Sequence, residues 1–125
     1  MNKFLFIVFI CLIFSACKKE ISTKQEDEQE LSALLQQIKA KSEPFKCENA
    51  ADWKFIAYGS KACGGPIGYL PYSTKIDTPA FFSLVNKYGV LQNEFNHKWS
   101  IASDCALARQ PKSIVCEDGK PKLIY

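Results

Sequence analysis

Long hydrophobic runs, histidine, paired cysteine knuckles and net charge are all scarce in this sequence, and each scarcity removes a class of function. The longest apolar run, Phe4 to Phe14, would cover only about 16 Å as a helix against roughly 30 Å of bilayer hydrocarbon, so no segment is built to span a membrane. The chain of 125 residues carries 16 Lys and Arg against 13 Asp and Glu, a net charge of +3. Neither a basic stripe nor a Lys/Arg run emerges, which argues against nucleic acid as a partner. His97 is the only histidine; alone it makes neither a metal site nor a catalytic triad, and its place near a helix end fits a surface residue helped by the dipole. Gly-x-Ser-x-Gly, His-Glu-x-x-His and phosphate-loop patterns are missing, so no cofactor is expected.

What is present begins at the N-terminus. Met1-Asn2-Lys3 gives a short positive segment, the apolar run follows, and Ser15-Ala16 supplies the small residues that a signal peptidase admits. Together with Cys17 this stretch resembles the lipobox of bacterial lipoproteins, with Phe14 standing where that family prefers Leu. The resemblance implies that residues 1–16 are a signal peptide, and that Cys17 becomes the first mature residue, bearing diacylglycerol and usually an N-linked acyl chain such as palmitate. An ordinary secretory signal cut near Ala16, leaving Cys17 as a free thiol, is the other reading. Two or three acyl chains hold a protein stably on a membrane where one does not. The expected address is therefore the cell envelope, lipid-anchored, in the outer membrane and facing either periplasm or surface. Without residues 1–16 the balance falls to 15 basic against 13 acidic residues, too even for electrostatic adhesion to be the main anchor.

Lys18 to Glu30 is polar and reads, with Cys17, as a flexible tether over residues 17–30, its span about 20 Å. A single domain is expected over 31–125. Leu31, Leu34, Leu35 and Ile38 fall at i, i+3, i+4 and i+7, predicting a helix from about Asp27 to Lys41 that Pro44 stops. It is read as a packing face, with self-association or partner binding the sharper alternative. Trp53 to Tyr58 predicts a strand, and Tyr69 to Tyr72 a short second one that Pro71 confines to an edge or bulge. Asp77-Thr78-Pro79 starts a long helix whose apolar stripe continues to Trp99. Ser100 to Ala108, Ser113 to Glu117 and Lys122 to Tyr125 predict a closing three-stranded meander, with Asp118-Gly119 as its tight turn. The fold class expected is α+β, a small antiparallel sheet covered by one long and one shorter helix.

Past Cys17 the domain holds Cys47, Cys63, Cys105 and Cys116, an even number in a chain expected to leave the cytoplasm, so two disulfides are predicted. Three connectivities are possible. Cys47–Cys63 with Cys105–Cys116 is favoured because each pair then brackets a local strand or turn. A zinc site is the competing reading, against which stands the lack of any Cys-x-x-Cys.

The most distinctive stretch is Gly59-Ser60-Lys61-Ala62-Cys63-Gly64-Gly65-Pro66, followed by Tyr69 and Tyr72-Ser73. With Trp53 and Asp104-Cys105 it is similar to a group of small Bacteroidota-type lipoproteins that carry a Gly-Ser-Lys-Ala-Cys-Gly-Gly-Pro loop, over roughly residues 45–125. The resemblance implies a family and an envelope address and brings no activity with it. Physically, two glycines beside a disulfide, with Pro66 behind them, make a loop that has little entropy left to lose on binding. Lys61, Gly64, Gly65, Pro66, Tyr69 and Tyr72 are the candidate binding loop; the plainer reading is a turn that the fold requires. Asp104, Glu117 and Asp118 are conceivable as an acid cluster but equally ordinary as exposed hairpin carboxylates. No catalytic or metal-ligating residue is assigned. The function expected is a non-catalytic envelope lipoprotein that binds a protein or small ligand, an inhibitor being one form of such a module. The alternatives are a small envelope hydrolase and a structural part of an envelope assembly.

Overall fold

The computed structural model describes residues 21–125; residues 1–16, expected to be a signal peptide, and Cys17, expected to carry lipid, lie outside them. Helix α1, Lys24–Ser42, is followed by one 3-10 turn, Ala50–Asp52, and by strands β1, Trp53–Tyr58, and β2, Gly68–Ser73. Helix α2, Thr78–Lys98, then precedes β3, Ser113–Glu117, and β4, Lys120–Ile124. The fold is α+β, with two separate antiparallel two-stranded sheets, β1–β2 and β3–β4.

Helix α1 starts three residues earlier than its apolar stripe suggests because Thr23 and Glu26 form a capping box. The Glu26 amide donates to Thr23 Oγ1 at 3.3 Å and the Thr23 amide to Glu26 Oε2 at 2.6 Å, satisfying two amides that the first turn leaves without partners. Residues 24–26, expected in the tether alone, are helical, as are 27–30, which the expected tether and the expected helix shared. Helix α2 opens as expected, with Asp77 Oδ1 accepting from the Ala80 amide at 3.1 Å and Pro79 in its first turn.

In β1–β2 the register sets Phe55 opposite Pro71 and Ile56 opposite Leu70. Alternation then sends Ile56, Tyr58, Leu70 and Tyr72 toward the helices, where they meet Leu34, Ile38, Phe81, Val85 and Tyr88 in one core. Pro71 costs no ladder bond: among the described residues β2 has β1 as its only strand partner and the Thr74 amide bonds the Asp52 carbonyl, so the even-numbered pairs bond inward and position 71 faces outward. Beyond this face lies the second hairpin, with Ser113 and Ile114 beside Trp53 and Phe55 and Pro121 to Leu123 beside Pro71. Asp118 and Gly119 turn that hairpin at φ 52° and 74°, both left-handed as a type I′ turn requires.

Two expectations are corrected. Residues 101–112 form no strand; left-handed backbone at Ser100 and Cys105, φ 48° and 55°, breaks the extended run, and among the described residues β3 takes β4 as its only partner, so the meander is a two-stranded hairpin. The disulfides join Cys47 to Cys116 and Cys63 to Cys105, not Cys47 to Cys63 and Cys105 to Cys116. Tertiary contact overrides closeness in sequence: the Cys47 amide bonds the Gly119 carbonyl at 2.8 Å, laying the segment after α1 along the β3–β4 turn. Cys63 and Cys105 belong to two irregular loops that meet near the C-terminal end of α2.

Candidate functional site: a groove between β1 and α2

The loop of residues 59–66 is a small closed body. The Lys61 amide donates to the Gly65 carbonyl and the Gly64 amide to the Lys61 carbonyl, both at 2.9 Å. Gly59, Gly64 and Gly65 all hold positive φ, 76°, 91° and 81°. A Cβ at Gly59 would stand 2.5 Å from Ile67 Cγ1 and 2.6 Å from Gln92 Oε1, whereas at Gly64 and Gly65 it would meet nothing within 4 Å. Gly59 is thus needed for both space and dihedral; the other two serve the dihedral alone.

Three sets of contacts fix this loop to the body. Gln92 Oε1 accepts from the Ser60 amide at 2.7 Å, and Asn96 Nδ2 donates to the Ser60 carbonyl at 2.8 Å, two consecutive helical turns holding one residue. Lys61 Nζ donates to Asp104 Oδ1 at 2.9 Å and to the Ala106 carbonyl. The Cys63–Cys105 disulfide closes the same junction. Lys61, with the Ala106 amide behind it, holds the Asp104 carboxyl below its ordinary pKa.

Beside the loop a groove of about 590 Å³ runs between β1 and α2. Ile56, Val85, Phe82 and Val90 give it apolar surface, Asn86, Asn93, Glu94 and Ser60 a polar rim, and Gly59 and Pro66 close one end. Phe82 and Val90 are 39% and 50% exposed, high for side chains of their type on the principal helix. Gly89 lets the helix come within reach of the loop, its Cβ position lying 3.8 Å from the Gly59 carbonyl oxygen.

The residues expected to form one binding loop divide. Lys61, Gly64, Gly65 and Pro66 are together, with both glycines exposed and Pro66 turned to the groove. Tyr69 lies on the other sheet face, its ring edge-on to Phe55 with centroids 6.0 Å apart. Tyr72 is a correction: it is 7% exposed and packs on Phe81 and Phe82 at 5.4 Å from each, because its even-numbered place in β2 points it at the helices. That burial raises its phenol pKa, as it does for Tyr58 and Tyr88. Sequence reasoning missed the α2 wall, whose signal was Phe82 and Val90, apolar residues off the main stripe of the helix.

The other chemistry-bearing residues do not converge. His97 is exposed in the last turn of α2. Glu117 pairs with Lys122 at 2.6 Å, and Asp118 occupies the hairpin turn. Among the described residues no group of three His, Cys, Asp or Glu is placed to hold a metal ion, and no helix is long and apolar enough to cross a membrane. A second cluster does form where the described chain begins. Asp27 accepts from Lys98 Nζ at 2.7 Å, from Trp99 Nε1 at 2.9 Å and from Ser22 Oγ. Those three donors, Lys98 foremost, hold the Asp27 carboxyl at a pKa of about 2. The arrangement ties the start of α1 to the end of α2. No family model, curated protein or solved structure matches this chain.

Proposed function

We propose that this chain is a non-catalytic, lipid-anchored protein of the bacterial cell envelope, held by Cys17 in the outer membrane, whose domain binds an envelope protein or small envelope ligand in the β1–α2 groove. The groove carries the reading: a partly apolar concavity with a polar rim, ended by a loop that a disulfide, a lysine and two helical amides hold rigid. A cleft with few and fixed polar groups is what ligand sites share, and a wall that is already ordered loses little entropy on binding. Catalysis draws no comparable support. Asp104 is engaged by Lys61, and His97 stands at an exposed helix end, so neither meets a nucleophile in a cleft. The anchor reading rests on the sequence from Met1 to Cys17.

Val90→Glu places a charge in the groove at a half-exposed position, so the fold survives it. Capture of one defined partner from envelope extract by the wild type, and its loss with Val90→Glu at unchanged melting temperature, is the expected result. Equal capture by both proteins removes the groove as the site. For the anchor, Cys17→Ala is expected to release an exported protein from the membrane fraction; a variant that still sediments with membranes overturns it.

A further inference from the structure

One end of the domain differs from the rest in what it exposes. Helices α1 and α2 are antiparallel neighbours, since Asp27 at the start of one meets Lys98 and Trp99 at the end of the other, while Lys41 and Pro44 meet Asp77 and Ala80 at the opposite end. Ser60 is bonded to Gln92 and Asn96 in the last turns of α2, and Lys61 and Cys63 bind the 104–106 segment. The start of the described chain, the Gly-Gly-Pro loop and the 101–109 segment therefore all gather at the C-terminal end of α2. The two most exposed large apolar side chains of the described residues, Ile21 at 87% and Leu107 at 88%, lie there; the others reach only 36 to 50%. Half-buried Trp99 accompanies them, and Lys18, Lys19 and Glu20 precede Ile21 in sequence. Lys98 and Lys61 offset the Asp27 and Asp104 charges at this end.

We propose that this end is a membrane-contact surface, resting on the phospholipid headgroups of the bilayer that holds Cys17, with Ile21 and Leu107 entering the interface and Trp99 at its level. The inference rests on the lipid-anchor reading above. Length excludes the inverted orientation. Four residues separate Cys17 from Ser22, the first of the described residues tied to the body, so over five Cα-to-Cα steps at full extension the leash reaches about 18 Å. Helix α2, with 21 residues, is about 31 Å long. The leash is too short to bring the Pro44 and Asp77 end down to the lipid, whereas the Ser22 end is always within reach. Apolar side chains together with an amphipathic indole and cationic tips suit the boundary between headgroups and acyl chains. The groove then rises from the lipid surface along α2.

The test uses the full anchored protein, purified in detergent and reconstituted in vesicles of phosphatidylethanolamine and phosphatidylglycerol with a headgroup nitroxide. Intact mass first reports the acyl chains on Cys17. Trp53→Phe leaves Trp99 as the sole indole, and Trp99→Phe leaves Trp53, which lies at the far end of β1 from Ser60. Quenching several-fold stronger for Trp99 than for Trp53, with slowed amide exchange over 103–109 relative to β3–β4, is the expected result. Leu107→Asp, at a position too exposed to affect folding, is expected to keep the protein on vesicles while removing that slowing. An acylated protein that floats with vesicles yet shows equal quenching, or slowed exchange at another face, overturns the contact surface and leaves the anchor standing. A mature chain without acyl mass overturns the anchor, and this inference with it.

Discussion

Gly89 in the middle of α2 faces Gly59 at the end of β1, and a methyl group at position 89 would sit 3.8 Å from the Gly59 carbonyl oxygen, an ordinary contact. The two glycines on either side of that approach are therefore unequal. Gly89→Ala removes a helix-interior glycine without a clash and is expected to stabilise the domain by about 0.5–1 kcal/mol in denaturant unfolding. Its methyl also stands in the groove, so binding is expected to weaken as stability rises. Gly59→Ala meets Ile67 and Gln92 inside 3 Å at positive φ and is expected to cost more than about 1 kcal/mol. Equal effects of the two substitutions contradict the packing described.

The Asp27 cluster predicts a particular acid dependence. Its folded pKa of about 2 lies below the unfolded value of about 3.9, so the cluster contributes stability in full above the unfolded value and loses it as pH falls through the folded one. Asp27→Asn is expected to lower the melting temperature at neutral pH, with the difference from wild type shrinking below about pH 4 and closing near pH 2. A difference that persists unchanged at pH 2 removes the ionised carboxylate from the account.

Peptide mapping of the non-reduced protein is expected to find Cys47 with Cys116 and Cys63 with Cys105. The closed segments span 69 and 42 residues, for which loop-closure entropy gives about 4 kcal/mol each. Replacing Cys47 and Cys116 by Ser, which opens a half-buried bridge that fixes the second hairpin, is expected to lower global stability. The Cys63 and Cys105 pair is exposed, and its double Ser variant is expected to raise amide exchange first in 59–66 and 101–109.

At Gly64 and Gly65 the structure separates dihedral from packing. Ala at either meets open space, so each is expected to cost about 1 kcal/mol from backbone strain alone. Double substitution with unaltered groove binding at a temperature well below melting would show that the loop tip is outside the ligand contact; binding that falls while the fold holds would put it inside.

Much of the fold was legible because periodicity carries it. The stripe from Phe81 to Trp99, the Asp77-Thr78-Pro79 start and the Asp118-Gly119 turn each act through neighbours in sequence, and each is where local rules place it. The start of α1 was legible too, in Thr23-x-x-Glu26, but a polar composition read as tether hid it. What was not legible depends on distant parts of the chain. The segment from Ser100 to Ala108 reads as a strand, yet a strand exists only if another edge is free to pair with it. Tyr72 looked like a loop tyrosine until the register with β1 fixed which way its ring points. The groove needed β1 and α2 side by side, which no spacing encodes.

The two disulfides are nested, with Cys63–Cys105 wholly inside the span closed by Cys47–Cys116. A chain that emerges from a translocation pore N-terminus first exposes Cys47 and Cys63 long before Cys105, and a bare oxidant joins neighbours as they appear. That order produces the consecutive pairing, which is not the native one. Reaching the nested pairing requires those early bonds to be attacked by a thiolate and exchanged. For a chain exported as proposed above, this pairing makes disulfide isomerisation an expected need beside oxidation, and a cell lacking its isomerase is expected to accumulate a chain with all four domain thiols oxidised and the wrong partners joined, as peptide mapping would show.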